Sequence, residues 1–197
     1  MATPTKKSAP KKIKKWYTLY APQLFSGNEI GELLAAEPET LLNRVVRMSL
    51  ADLLGKMDPS TIYTFVKMRI KELKGTACHC VMIGHEISPV YMSTLIRRRR
   101  SILDVVRDVE TTDGIKLRLK ALIISVNKLS NNQKTALRNA LSALLAEAAS
   151  KETFDKFIQE ILFGKLSARL FNELKKIAPI RRVEVRKSQI AEVFEKK

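Results

Sequence analysis

The sequence predicts an α+β fold: an antiparallel, barrel-like sheet with helices packed on it, behind a basic, disordered-type N-terminal tail. Three observations carry that reading. Between residues 43 and 128 the chain is rich in β-type runs, some with strict alternation of apolar and charged residues. Between 130 and 178 apolar residues recur at helical spacing, and 180–187 returns to a β-type run. Strands first, helices next and one strand last point to helices laid over part of one sheet, not to alternating βα units. At 197 residues and 45% hydrophobic, the chain is long enough for one good core. The expected division is a tail (1–15), a single α+β domain (16–190) and a C-terminal tail (191–197).

The elements follow in order. Residues 1–15 hold six lysines, two prolines and no acid, as expected of a solvated arm that orders on contact with phosphates. From Trp16 to Leu42 the charge inverts, with Glu29, Glu32, Glu37 and Glu39 and no Lys or Arg. Trp16, Tyr17, Tyr20 and Phe25 cluster just after the lysines. Such aromatics either anchor an arm to the core or stack on bases. Arg44–Leu54 reads as a strand. Across 61–73, Ile62, Thr64, Val66, Met68 and Ile70 share one face, while Tyr63, Phe65, Lys67, Arg69 and Lys71 share the other. A turn at Gly75 leads into a further strand over 76–87.

Ser88 and Pro89 then open a short helix with the stripe Tyr91, Met92, Leu95 and Ile96, which runs into Arg97, Arg98, Arg99 and Arg100. A strand with Ile102, Val105, Val106 and Val109 reaches the hairpin signal Asp113-Gly114. Its partner, 115–126, alternates Ile115, Leu117, Leu119, Ala121 and Ile123 with Lys116, Arg118 and Lys120. Ser130-x-x-Gln133 is a capping box before the first of three amphipathic helices, the second ending at Gly164 and the third at Pro179. Residues 180–187 return to the sheet, and the stretch from Ser188 reads as a short helix or a frayed end.

The most informative bulk property is charge. There are 36 Lys and Arg against 20 Asp and Glu, a formal +16. A surplus of that size speaks to partners, and nucleic acid is the commonest. An anionic membrane fits less well, because the basic clusters are not on amphipathic helices with bulky apolar faces. No run approaches the roughly 18 apolar residues of a membrane span, no secretory signal is present, and two cysteines make no disulfide framework. An intracellular, cytoplasmic protein is expected.

Chemistry is poorly represented. Cys78, His79, Cys80 and His85 do not make a zinc knuckle, and on a strand the two cysteine side chains lie about 7 Å apart on one face. Buried structural thiols are the expectation, with no metal and no cofactor. Neither histidine sits by a nucleophile, the glycines do not form a phosphate loop, and no pair of carboxylates is set up for acid–base work. The residues themselves therefore favour a binding protein over an enzyme. A free RNA-binding module, or an RNA-modifying enzyme that docks through a basic surface, are the alternatives.

Several segments go further. KKWYTLYAPQLF at 14–25, SLADL at 49–53, GHEIS at 84–88, LIRRRRSILDVVRDVETTDGIKLRLK at 95–120, FGKL at 163–166 and IAPIRRVEVRKS at 177–188 together resemble the archaeal and eukaryotic small-subunit ribosomal protein family S-one-e, also called S-three-A-e. The four arginines and the short chain are similar to archaeal members. GELLAAEPE at 31–39 departs from the family pattern, and Leu129–Gln133 lacks its basic loop. The resemblance implies a non-enzymatic constituent of the small-subunit platform. Such a protein binds small-subunit ribosomal RNA beside other platform proteins near the mRNA exit region, with no membrane partner and no stable homo-oligomer.

The expected RNA contacts are Lys6, Lys7, Lys11, Lys12, Lys14, Lys15, Trp16 and Tyr17 of the arm and its aromatic end. Lys67, Arg69, Lys71, Lys116, Arg118, Lys120, Arg181, Arg182, Arg186 and Lys187 are added from strand faces. Arg97, Arg98, Arg99 and Arg100 are expected to clamp phosphates, bidentate where geometry allows. Positive charge at a helix C-terminus also complements the dipole, which accounts for one or two of the four. Lys116, Arg118 and Lys120 are expected to continue the arginine surface, because their strand is hairpin-paired to the one the arginines enter.

Overall fold

A computed structural model describes residues 13–55 and 57–191, excluding the side chains of Pro59 and Ser60. The expected contacts at Lys6, Lys7, Lys11 and Lys12, and the C-terminal stretch from residue 192, lie outside the described residues. The chain forms two compact units, Met1–Val45 with Arg69–Val81 and Val46–Met68 with Met82–Lys197. Strands β4 (Thr64–Lys74) and β5 (Ala77–Ile87) contribute residues to both.

The first unit contains β1 (Lys15–Tyr20) and β2 (Glu29–Ala35), which pair antiparallel, while β1 also pairs parallel with β5 at Thr18–Tyr20 opposite Ala77–His79. Neither strand is announced by the sequence. In β1, Tyr17 and Leu19 are buried and Lys15 and Trp16 are exposed, an alternation too short to stand out beside the charge change.

The second unit carries most of the core. β3 (Val45–Ser49) stops where α1 (Leu50–Leu54) begins, so the strand expected over 44–54 is broken. Ser49 is the reason: its Oγ accepts from the Asp52 amide at 3.1 Å and donates to the Asp52 carboxylate, satisfying the helix N-terminus. A short α2 (Pro59–Ile62) replaces the start of the next strand and leaves Ile62 exposed. From Thr64 the expected faces hold, with Thr64, Val66, Met68 and Ile70 buried.

α3 (Pro89–Leu95) precedes the hairpin of β6 (Ile102–Glu110) and β7 (Lys116–Ser125). β8 (Ile180–Ile190) then pairs antiparallel with β7, so Ser188–Ile190 are strand and not the helix or frayed end expected. Leu117, Leu119, Ala121 and Ile123 are almost fully enclosed. They lie on the sheet face packed by α4 (Asn131–Lys151) and α6 (Lys165–Leu174), with α5 (Phe154–Leu162) between the two helices in sequence. Ser130 and Gln133 form the predicted capping box, and Gly164 takes the positive φ of +73° that ends α5.

The α+β class stands, but the sheet does not close into a barrel. Among the described residues eight strands form an open array with the path β2-β1-β5-β8-β7-β6, with β3 and β4 off that path, and it is mixed because β1 runs parallel to β5. Helices bury the apolar side of β6–β8 in the second unit, so this sheet need not curl onto itself to make a core.

Candidate nucleic-acid interface

The face of β6–β8 opposite α4 and α6 is the first basic surface. Register places Lys116 beside Glu110, Arg118 between Asp108 and Gln189, and Lys120 between Val106 and Lys187. Lys187 in turn pairs with Glu86 of β5, and Lys67 of β4 reaches the Glu86 carboxylate at 2.5 Å. Like charges directly opposite each other, as at Lys120 and Lys187, destabilise a sheet. Glu86 offsets this. Its carboxyl is held below the usual range chiefly by the Lys67 hydrogen bond, with Lys187 and Arg47 adding to it. Arg47 stacks its guanidinium over Phe65, 4.1 Å from the ring centre. Arg47 is not among the residues expected from sequence, because the face it occupies is set by how β3 lies on β4.

Other charges on this face are committed to acids. Arg118 binds Asp108 through two hydrogen bonds of 2.7 and 2.9 Å, and Arg186 lies 3.9 Å from Asp104. Both pairs are substantially exposed, so each contributes little to stability.

The arginine cluster lies elsewhere. β6 and β7 are antiparallel, so Ile102 sits beside Ile124 and Glu110 beside Lys116. Arg97–Arg100 enter at the Ile124 end, about 20 Å of strand from Arg118. The sheet face between them is apolar: Leu122 and Ile124 are buried with Met92 and Ile87, and Tyr91, Leu95 and Ile102 pack around them. The surface expected to run continuously from Arg97 to Lys120 is thus two patches with α3 between them. The helix-dipole role also lapses. α3 ends at Leu95 with no basic residue in its last turn, and the arginines form the following turn, with Arg99 at a φ of +65°.

What the arginines meet is β8. Arg97, Arg98 and Arg99 are exposed and Arg100 is half-buried. The Arg100 guanidinium is held below its ordinary value, first by lost hydration and then by the charges of Arg181 and Arg97. Its Nη1 is shielded from solvent and has no hydrogen-bond partner among the described residues. None of Arg97–Arg100 or Arg181 has an ion-pair partner among the described residues. Arg182 differs: it binds Glu184 and lies 5.6 Å from the Tyr91 ring centre.

In the first unit, Lys14, Lys15 and Lys71 are exposed and Arg69 is half-buried. Trp16 is 62% exposed, but Tyr17 is 5% exposed and packs into the core. Tyr17 therefore anchors this segment to the core, and of the two rings it is Trp16 that stays exposed. Tyr20 is stacked on His79, with ring centres 5.7 Å apart.

The cysteines are buried free thiols. Burial pushes Cys78 up, and it pushes Cys80 up to about 11 with help from Cys78. Among the described residues no group of His, Cys, Asp and Glu is arranged to hold a metal ion, and no helix is long and apolar enough to cross a membrane. His85 is a structural element. Its Nε2–H donates to the Val185 carbonyl at 2.9 Å, which leaves Nδ1 to accept from the Ser188 hydroxyl at 2.6 Å. Beside it, Gly84 lies against the Ser188 backbone, where a Cβ would come within 2.2 Å of the carbonyl oxygen.

The ribosomal S3Ae family matches residues 3–193, nearly the whole chain. The chain belongs to that family. The small ribosomal subunit protein eS1 of Sulfurisphaera tokodaii is 39% identical over 179 residues, covering 91% of this chain and 92% of the relative. Its counterpart in Sulfolobus acidocaldarius is 36% identical over 179 residues, covering 91% and 90%. That of Saccharolobus islandicus is 36% identical over 184 residues, covering 93% and 88%. The S3Ae-like segments coincide with the junctions just described. GHEIS supplies Gly84, His85 and Glu86 at the β5–β8 contact, and the RRVEVRKS run supplies Arg181, Val185, Lys187 and Ser188 from the opposing strand.

Proposed function

We propose that this protein is a structural, non-catalytic constituent of an archaeal-type small ribosomal subunit in the cytoplasm. It holds small-subunit ribosomal RNA and adjoins other proteins of the platform near the mRNA exit region. Membership of the S3Ae family and relatives named as small ribosomal subunit proteins support the assignment.

The observation that carries the RNA contact is the convergence of Arg97 and Arg100 with Arg181, without an acid among the described residues to neutralise them. Guanidinium groups kept together against their mutual repulsion form a site for phosphate, whose geometry they match with paired N–H donors. The sheet patch of Arg47, Lys67, Lys120 and Lys187 is the second anchor, and Lys14, Lys15 and Trp16 belong to a third. Contacts of this kind position a protein on folded RNA without reading its sequence.

The test is binding to a small-subunit ribosomal RNA transcript over a range of salt. Changing Arg97, Arg98, Arg99 and Arg100 to Gln should weaken binding and flatten the log–log salt dependence by about 0.7–0.9 units for each phosphate no longer neutralised. An unchanged slope would remove the arginine clamp. Co-sedimentation with small subunits at moderate salt, abolished at high salt, is expected of the intact protein.

A further inference from the structure

β5 leaves β8 after Glu86. The two pair over Gly84–Glu86 opposite Lys187–Gln189, and then the Ser88 amide donates to the Tyr63 carbonyl at 2.8 Å and α3 begins at the next residue. Beside the departing strand a cleft of about 510 Å³ opens, lined wholly by residues of the second unit. Its floor is closed. Val183 and Val185 of β8 are each 2% exposed, and the His85 ring nitrogens are already bonded to Val185 and Ser188. Recognition therefore falls to the walls.

One wall is aromatic. The rings of Tyr63 and Tyr91 stack at 5.3 Å with 18° between their planes, and the Arg182 guanidinium lies 5.6 Å from the Tyr91 ring centre. α6 makes the other wall, because its spacing divides the helix into two faces. Leu166, Leu170 and Leu174 are buried, while Ser167, Ala168, Phe171 and Asn172 line the cleft. Phe163, just after α5, adds a ring that is 53% exposed. Ser167 and Asn172 are unused polar groups: among the described residues neither side chain has a hydrogen-bond partner. Charge in the lining is also unbalanced. Glu184, its one acid, is bound to Arg182, and the exposed Arg181 has no ion-pair partner among the described residues.

We propose that this cleft holds one nucleotide of single-stranded RNA, turned out of its stack, with the base between the aromatic walls and a phosphate on Arg181. Unstacked bases are held on aromatic faces and guanidinium planes, and both are present here. Asn172 supplies donors and an acceptor for a base edge, and Ser167 a hydroxyl. The volume lies within the roughly 300–1,000 Å³ of small-ligand sites. Arg181 matches a phosphate through paired N–H donors. A peptide added to β8 as a strand is disfavoured, because the floor shows no open backbone. The site deepens the ribosomal-RNA reading and rests on it: the phosphate contacts position the protein, whereas this one requires a base.

The probe is adenosine 3′,5′-bisphosphate, which presents one base with a phosphate on either side as an internal nucleotide does. It is titrated into the free protein while the Asn172 side-chain amide and the Ala168 backbone amide are followed by NMR. Saturable shifts at both are expected, with the base-free ribose bisphosphate binding about ten-fold more weakly or worse. Ala168→Trp, at an exposed α6 position that fills the cleft without entering the core, should abolish binding. Arg181→Gln should weaken it and flatten its salt dependence, and this variant carries the test should Ala168→Trp fail to fold. No saturable binding up to about 5 mM, equal binding of the base-free compound, or indifference to both substitutions overturns the proposal. So does a blocked glutamate–valine octapeptide that saturates the same signals where the bisphosphate does not, which assigns the cleft to a protein partner. Loss of the bisphosphate with the ribosomal RNA transcript still bound removes this site alone, whereas a transcript that fails to bind removes the wider RNA reading.

Discussion

Acid should weaken this protein through His85 by an amount that follows from its surroundings. The imidazole is fully enclosed, and burial lowers its pKa from 6.5 to about 4, against the opposing effects of the Val185 hydrogen bond and the Glu86 charge. The folded chain thus holds the ring neutral where the unfolded chain binds a proton. Stability from this group is complete above pH about 6.5, falls as pH drops toward about 4, and changes no further below that. At 1.36 kcal/mol per pKa unit, a displacement of about 2.5 units is worth about 3 kcal/mol. That is a large share of a typical folding free energy of about 5–15 kcal/mol. Glu86, Asp108 and Glu147, whose carboxyls are held low by basic partners, also lose stability in acid, so the bare pH profile mixes several groups. Urea unfolding of the wild type and His85→Gln at pH 7.5, 6.5, 5.5 and 4.5 separates them, because Gln keeps a donor for the Val185 carbonyl and cannot titrate. The wild type should lose about 2.5 kcal/mol more than the variant across that window, the remainder of the effect lying below pH 4.5. Parallel curves, or an NMR titration of the His85 ring with a midpoint near 6.5, would refute the argument.

Three further outcomes are expected. Gly84→Ala forces a Cβ to within 2.2 Å of the Ser188 carbonyl oxygen, a backbone atom that cannot swing aside. It should cost about 2 kcal/mol or more in a denaturant midpoint, and the β5–β8 amides should lose protection from exchange. Trp16→Ala should lower RNA affinity while leaving stability within about 0.5 kcal/mol, whereas Tyr17→Ala should cost about 3–5 kcal/mol because its ring is in the core. Ser130→Ala removes the hydroxyl that accepts from the Gln133 amide at 3.4 Å, while the Gln133 side chain still accepts from the residue 130 amide. A loss of about 1 kcal/mol in thermal or urea unfolding is expected.

Where neighbours in sequence decide the outcome, the chain is legible without its structure. The alternation of Leu117, Leu119, Ala121 and Ile123 with Lys116, Arg118 and Lys120 is a property of one strand, and both faces are where it puts them. The Ser130 capping box works within one turn, and the family segments are visible as strings. Ser49 is a counter-example: the same type of local signal, a serine three residues before an acid, is hidden inside an apolar run. Asp113 is another. The hairpin signal is real, but the side chain also accepts from the Phe154 amide at 2.7 Å and caps α5 from 41 residues away.

The sequence by itself therefore determined the α+β class, the excess of positive charge, the strand and helix faces and the family. Each depends on composition or on spacing of a few residues. Only tertiary structure decided which charges meet. The antiparallel register of β6 and β7 puts Arg97–Arg100 at the far end from Lys116 and Lys120, next to Arg181, which is distant in the chain. The same is true of the cleft beside β8, which exists because β5 turns away after Glu86. Strand pairing and its end points are set by long-range packing, and no local pattern of side chains encodes them.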